Sequence, residues 1–195
     1  MSSRPRPTSQ LPKAPTSLSP TAVIADSATL TGIHLITIGP NVIIHPRARL
    51  NSTYAPITIS ASCIVSEKCS VGLLSAPSSA EEDDSKTGVT LDPFVMLEPG
   101  CVVEATRIGA GSVVDVGAKI SAGATLGEHC RVAPLCTVPR GEALESFTVV
   151  FGNGQRRRER KGLEGLRRGT HEKQVDVLRR LVPSNLAKFQ HGSGG

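Results

Sequence analysis

The sequence predicts an all-β fold in which short parallel strands wind into a triangular prism, followed by one C-terminal α-helix. Three positional patterns predict it, and all three share a period of six residues between Ile108 and Val138. The apolar stripe of an amphipathic helix follows a period of 3.6, and a half-buried strand alternates every two residues. A strict period of six fits neither, but it suits a coil whose three sides are each a short strand.

The first pattern is an aliphatic residue at every sixth position. Its members are Ile24, Leu30, Ile38, Ile44, Leu50, Ile59, Val65, Val71, Leu91, Leu97, Val103, Ile108, Val114, Ile120, Leu126, Val132 and Val138. Small insertions separate the groups, and one long insertion lies between Leu73 and Gly88. Because three sides make one coil, residues 22–141 correspond to about six coils and a prism roughly 30 Å long.

The other two patterns concern small residues and glycines. A compact residue follows each aliphatic by four positions, and these compact residues include all five cysteines, Cys63, Cys69, Cys101, Cys130 and Cys136. Glycine or asparagine follows by three positions at Asn41, Gly100, Gly111, Gly117, Gly123 and Gly141. A narrow prism has room for one large side chain per side, so we expect the compact residues to fill the remaining interior. We expect the glycines at corners with a positive φ.

The domain organisation follows from the limits of the repeat. Residues 1–20 are rich in proline and serine and predict a disordered tail. The prism is predicted over 21–154, with a polar acidic insertion at 75–88 that bulges from one corner. Its acidic run lacks the spacing of a calcium-binding loop, which favours a solvated loop over a metal site.

The C-terminal part is predicted as a basic linker at 155–169 and a helix at 170–190. Thr170 can cap this helix, and Pro183 ends or kinks it. One apolar face of the helix is the candidate partner-binding site, comprising Val175, Leu178, Leu181, Leu186 and Phe189. The alternative is that the same face docks on the side of the prism.

Composition and charge exclude several classes of function. The net charge is +5, and residues 155–168 alone carry a balance of +5, so the rest of the chain sums to zero. With one Tyr, no Trp and four Phe, nucleic-acid binding by base stacking is not expected. The basic run is either a solvated segment or a site for an acidic partner. The sequence has no apolar run long enough to predict a transmembrane helix, and its N-terminus lacks the apolar core of a signal peptide. We therefore expect an intracellular protein without direct membrane insertion.

No catalytic or metal site is predicted. The five cysteines all occupy the interior position, form no Cys-x-x-Cys pair and therefore act as small hydrophobes, as in a reducing cytosol. A zinc enzyme needs three converging ligands, which the spacing of His34, His45 and His129 does not provide. His129 at a corner could serve as a general base, but no accompanying carboxylate or substrate-binding motif is present. We therefore expect no cofactor and no enzymatic activity.

The repeat resembles the hexapeptide-repeat superfamily, which forms single-stranded left-handed parallel β-helices and includes acyltransferases and γ-class carbonic anhydrases. Those anhydrases carry two zinc histidines in a His-x-x-x-x-His arrangement, which this sequence lacks. The order of parts is more similar to a non-enzymatic family, the pointed-end subunits of dynactin. The resembling segments are IGPNVIIHPRARL, the glycine-rich stretch 97–136, FTVVFG and QVDVLRRLVPSNLAKF.

The resemblance implies a structural role. A protein of this family would pair with a second hexapeptide prism, dynactin subunit 5, and with the other pointed-end subunits. It would help dynein and dynactin engage cargo during microtubule-based transport in the cytoplasm. The alternative is a trimeric enzyme of the superfamily, an acyltransferase or a γ-class carbonic-anhydrase-like protein. In either case the ends of the prism are its predicted interfaces, because end strands carry unpaired backbone groups.

Overall fold

The structure is a computed structural model and describes residues 12–76 and 88–190. The chain winds into a prism of three parallel sheets, here called faces A, B and C, which each coil visits in turn. Six complete coils are followed by two sides of a seventh, which confirms the predicted number of about six. The predicted acidic insertion lies largely outside the described residues.

The strands are short because each side of a coil is only a few residues long. Face A contains β1 (Thr16–Leu18), β4 (Ile36–Ile38), β7 (Ile57–Ile59), β10 (Val89–Leu91), β13 (Arg107–Ile108), β16 (Thr125–Leu126) and β19 (Ala143–Leu144). Face B contains β2 (Val23–Ile24), β5 (Ile43–Ile44), β8 (Ile64–Val65), β11 (Met96–Leu97), β14 (Val113–Val114), β17 (Arg131–Val132), β20 (Thr148–Phe151) and β21 (Gln155–Arg158). Face C contains β3 (Thr29–Gly32), β6 (Arg49–Ser52), β9 (Ser70–Val71), β12 (Val102–Val103), β15 (Lys119–Ile120) and β18 (Thr137–Val138).

The interior of the prism is the core of the protein, and its composition confirms the predicted phase. Every aliphatic residue of the six-residue repeat is buried, and Ile108, Ile120 and Val132 are completely so. The compact residues fill the space between them, and all five cysteines are buried and free. One large aliphatic and one small residue per side therefore suffice to fill the prism.

The corners adopt the predicted left-handed backbone conformation. The corner glycines and Asn41 all have positive φ. Larger residues occupy the same slot in other coils, and Leu135 and Phe94 have φ values of 60° and 63°. A side chain with a Cβ is disfavoured in this conformation, so the geometry of the coil imposes it on those residues.

The prediction of a disordered tail over residues 1–20 is wrong for the last part of that segment. Thr16–Leu18 form β1, which pairs in parallel with Ile36–Ile38, so the prism begins within the segment predicted as disordered. The composition of residues 12–20 did not indicate this strand, because the segment is rich in proline and serine. The strand forms because β4 in the neighbouring coil provides an edge with which it can pair. Residues 1–11 lie outside the described residues.

The C-terminal boundaries also differ from the prediction. The segment predicted as a basic linker instead forms β21, antiparallel to β20, and the first turns of the helix. Helix α1 runs from Glu164 to Leu181, and a 3₁₀ turn at Leu186–Lys188 follows Pro183. Thr170 therefore lies inside the helix and is not its cap. Among the described residues, no helix is long and apolar enough to cross a membrane.

Candidate interaction surfaces

The N-terminal end of the prism is capped by the chain's own C-terminal segment. Asn185 donates its backbone N–H to the carbonyl of Ile24, and the Ser184 hydroxyl accepts the N–H of Ile24 at 3.1 Å. Phe189 lies in the main core, only 4% exposed, and its carbonyl accepts a hydrogen bond from the Thr16 hydroxyl. A solenoid needs a cap because its end coil has no neighbour to bury its apolar side chains. Contrary to expectation, this end is therefore not an open interface.

The C-terminal end is different, because in the described part of the chain an added strand covers only one of its three sides. β21 pairs with the outer edge of β20 on face B. On faces A and C the terminal strands are β19 and β18, and no strand of the described part of the chain pairs with their outer edges. Such edges present unpaired N–H and C=O groups that can accept a further strand. Beside them, the corner residue Leu135 is 80% exposed.

The basic run serves first to hold this end together. Four ion pairs involve residues 155–168: Arg156 with Glu142, Arg158 with Glu145, Arg167 with Glu159, and Arg168 with Glu172. The Arg167 guanidinium holds the pKa of the Glu159 carboxyl below its usual range through hydrogen bonds. Exposed ion pairs contribute little energy each. These ion pairs neutralise part of the positive charge of the basic run. Since the run also forms β21 antiparallel to β20, it is part of a hairpin as well as a basic surface.

Helix α1 docks on face B because that face is apolar on its outside too. The outward residues of its first strands, Val23, Ile43 and Ile64, form a second hydrophobic cluster with Val175 of the helix. On face A the outward positions are mostly threonine and serine, as at Thr37 and Thr58. The sequence indicates this docking face by two consecutive aliphatic residues in each strand, one facing the interior and one facing the helix, as in Val23–Ile24, Ile43–Ile44 and Ile64–Val65.

A histidine fixes the middle of the helix. His171 is buried, and its Nε2 donates to the carbonyl of Ser62 at 2.6 Å. Its ring packs edge-on against Phe94, with ring centroids 5.9 Å apart. The Arg168 guanidinium lies over the Phe94 ring, 4.5 Å from its centroid. The strained corner at Phe94 thus anchors the helix.

The five residues predicted to bind a partner fall into two groups. Val175 and Phe189 are buried against the prism, and Leu178 and Leu186 pack partly against it. Their side chains follow the docking alternative. Leu181 alone points away and is 69% exposed.

A cleft of about 810 Å³ separates the first half of α1 from face B. Its floor includes Met96 and Val113, and Leu166 forms part of its outer wall. Asp115 is buried in it and bound by Arg131 through two hydrogen bonds of 2.8 and 3.1 Å. The ion pair leaves the cleft without an unpaired buried charge, so it is suited to an apolar side chain rather than to an ion.

The candidate catalytic and metal-binding side chains have different surroundings in the structure. His129 lines the cleft and packs on Phe147, with ring centroids 5.2 Å apart. Burial lowers the pKa of His45. Burial also raises the pKa of the Cys63 thiol to about 12, so this thiol is protonated at neutral pH. Across residues 12–76 and 88–190, no group of three or more His, Cys, Asp or Glu side chains is arranged to hold a metal ion.

The sequence analysis included only one residue, Leu181, of a further exposed apolar surface. Four large apolar side chains of the α1 region, Leu163, Leu166, Val177 and Leu181, are between 51% and 72% exposed. We call them the outer stripe. The apolar face chosen from the sequence was the one centred on Val175. The outer stripe has a similar helical spacing, but lysines and arginines between its members obscured it.

Together, the continuous six-residue repeat, the three parallel faces and the aliphatic interior define a hexapeptide-repeat protein, a left-handed parallel β-helix with a C-terminal helix. This confirms the predicted fold class. A hexapeptide transferase family protein from Anaplasma phagocytophilum has the same fold, with a TM-score of 0.70 and 17% identity, covering 86% of this chain and 96% of that one. No protein-family model matches the chain.

Sequence comparison identifies a narrower group of similar proteins than the fold does. Dynactin subunit 6 of Xenopus tropicalis is 24% identical over 174 residues, covering 86% of this chain and 81% of its own length. Dynactin subunit 6 of Danio rerio is 26% identical over 167 residues, covering 82% of each. The resemblance to dynactin subunit 6 is thereby confirmed over more than four fifths of the chain.

Proposed function

We propose that this chain is a non-enzymatic subunit of dynactin, positioned in its pointed-end complex. The similarity to dynactin subunit 6 over more than four fifths of the chain carries the proposal. The likeness to a transferase, at 17% identity, concerns the fold alone. Through the complex, the protein contributes to cargo engagement by dynein and dynactin in the cytoplasm.

We further propose that the C-terminal end of the prism pairs with a second hexapeptide prism, dynactin subunit 5. The support is the asymmetry of the two ends, since the N-terminal end is occupied by Phe189 and Ser184. At the other end, Thr137 of β18 and Ala143 of β19 lie on unpaired edges. A second prism with matching triangular outline would continue both ladders and cover the exposed Leu135.

Co-expression with dynactin subunit 5 of the same organism tests both statements. We expect a one-to-one heterodimer by size-exclusion chromatography with light scattering. A homotrimer that binds acyl-coenzyme A or zinc would instead establish the enzymatic alternative.

A single edge substitution tests the position of the interface. Ala143→Pro removes a backbone N–H that faces no strand formed by residues 12–76 and 88–190, so the isolated prism should keep its fold. The lost hydrogen bond and the proline ring should weaken the heterodimer about tenfold or more. Ala143→Ser retains the N–H and serves as the matched control. If Ala143→Pro pairs as tightly as the control, the interface lies elsewhere.

A further inference from the structure

The outer stripe is an unpartnered helix face with a definite shape. At about 100° per residue, Leu163, Leu166, Val177 and Leu181 fall within an arc of roughly 60°. Thr170 continues the same line between them. The stripe extends about 27 Å at 1.5 Å per residue. It points away from Val175, so it makes no contribution to docking α1 on the prism.

The apolar surface does not end at the helix. Leu166 is 72% exposed and also borders the cleft, whose floor carries Met96 and Val113. These two residues continue the outward apolar row of face B, and Met96 also packs against the cluster that contains Val175. An element lying along α1 would thus contact the stripe and, at one end, the mouth of the cleft.

The charges beside the stripe indicate the chemistry of the occupant. Helix α1 carries five Arg or Lys residues and three Asp or Glu residues. Arg167 and Arg168 are engaged with Glu159 and Glu172. Lys173, Arg179 and Arg180, in contrast, form no ion pair with any described residue. Lys173 and Arg180 lie directly beside the stripe in the helical projection.

We propose that the outer stripe binds an acidic amphipathic helix of a partner protein, with apolar residues on the stripe and carboxylates facing Lys173 and Arg180. The recognition is that of two amphipathic helices packed side by side. A second copy of this chain is disfavoured, because two stripes would bring the same basic residues together. A membrane surface is disfavoured as well, since the stripe is narrow and contains no aromatic residue.

A designed peptide is the probe for this site. Its 21 residues repeat a heptad with leucine at the two core positions and glutamate at the two flanking positions. We expect it to bind the full chain, by fluorescence anisotropy, with an affinity that falls as salt rises. A peptide with lysine in place of the glutamates should bind at least tenfold more weakly. Equal binding of the two peptides would overturn the proposal, as would binding of anionic phosphatidylserine vesicles but not of the acidic peptide.

Variants assign the binding to the stripe. Leu166→Asp/Val177→Asp alters two exposed side chains, so thermal unfolding should be unchanged while affinity falls more than tenfold. Lys173→Glu/Arg180→Glu should reverse the preference between the two peptides. Thr58→Asp on face A is the matched control and should bind like the original chain. Unchanged binding by the double aspartate variant would contradict the proposal. Because the stripe is distinct from the prism end, a negative result here leaves the heterodimer test independent.

Discussion

The cap at the N-terminal end makes a strong prediction about stability. Phe189 is 4% exposed and lies in the main core, although only Gln190 follows it among the described residues. Truncating a buried phenylalanine to alanine costs about 3–5 kcal/mol in ordinary cores. An end coil can relax more than a central one, so we expect Phe189→Ala to cost about 3 kcal/mol. At a denaturant slope of about 2 kcal/mol per molar, the urea midpoint would fall by about 1.5 M.

The location of the effect is as informative as its size. In a solenoid each coil contacts only its neighbours, so loss of the cap should loosen the first coil before the rest. Hydrogen exchange should therefore accelerate most in β1, β2 and β3 and least in β13 to β18. Leu181→Ala, at a 69% exposed position of the same C-terminal region, should change stability by less than about 0.5 kcal/mol. A cost below about 1 kcal/mol for Phe189→Ala, or uniform acceleration of exchange, would refute the capping argument.

Two further predictions concern the interior and the corners. Because burial raises the folded-state pKa of Cys63 to about 12, its contribution to stability is complete below the unfolded value of about 8.5 and is lost as pH rises from there towards 12. Cys63→Ala should accordingly show a smaller fall in urea midpoint between pH 8 and 10 than the original chain, and equal slopes would contradict the burial argument. Gly72 has a φ of 124°, and an added Cβ would lie 2.0 Å from the Asn51 carbonyl oxygen, so Gly72→Ala should cost more than about 3 kcal/mol. Gly141→Ala, at φ 69° with no neighbouring atom within 4 Å, should cost about 1 kcal/mol, and similar thermal unfolding of the two variants would exclude the steric explanation.

The prism was predictable from the sequence because its geometry is repeated. The same interior position recurs on every side of every coil. Ile108, Val114 and their equivalents therefore define the phase of the six-residue repeat without reference to distant contacts. The burial of all five cysteines was predicted from the same phase. The left-handed corner at Gly111 was as well, since glycine avoids the penalty that a Cβ carries there.

The ends and the candidate sites were less predictable because they depend on contacts made only once. Thr16–Leu18 form a strand because the neighbouring β4 offers an edge, and no local pattern in a proline-rich segment indicates this. The helix begins at Glu164 rather than Thr170, in a segment whose arginines suggested a solvated linker. Phe189 was assigned to a partner surface, yet it occupies the end of the prism. Its spacing suggested a continuation of the helix, but α1 ends at Leu181 and Phe189 follows a 3₁₀ turn that places it over the end coil.

The asymmetry of the two ends bears directly on assembly. A prism with two open ends would stack head to tail, and a contact of that kind repeats without closing and produces fibres. By placing Phe189 and the strand bridge at Ser184 over one end, the chain removes one of the two surfaces that such stacking requires. At the other end of the described chain the outer edges of β18, β19 and β21 are unpaired, so the proposed pairing with one further prism would complete the stack on this side. In the proposed complex, the C-terminal segment would therefore cap the fold and also limit head-to-tail stacking.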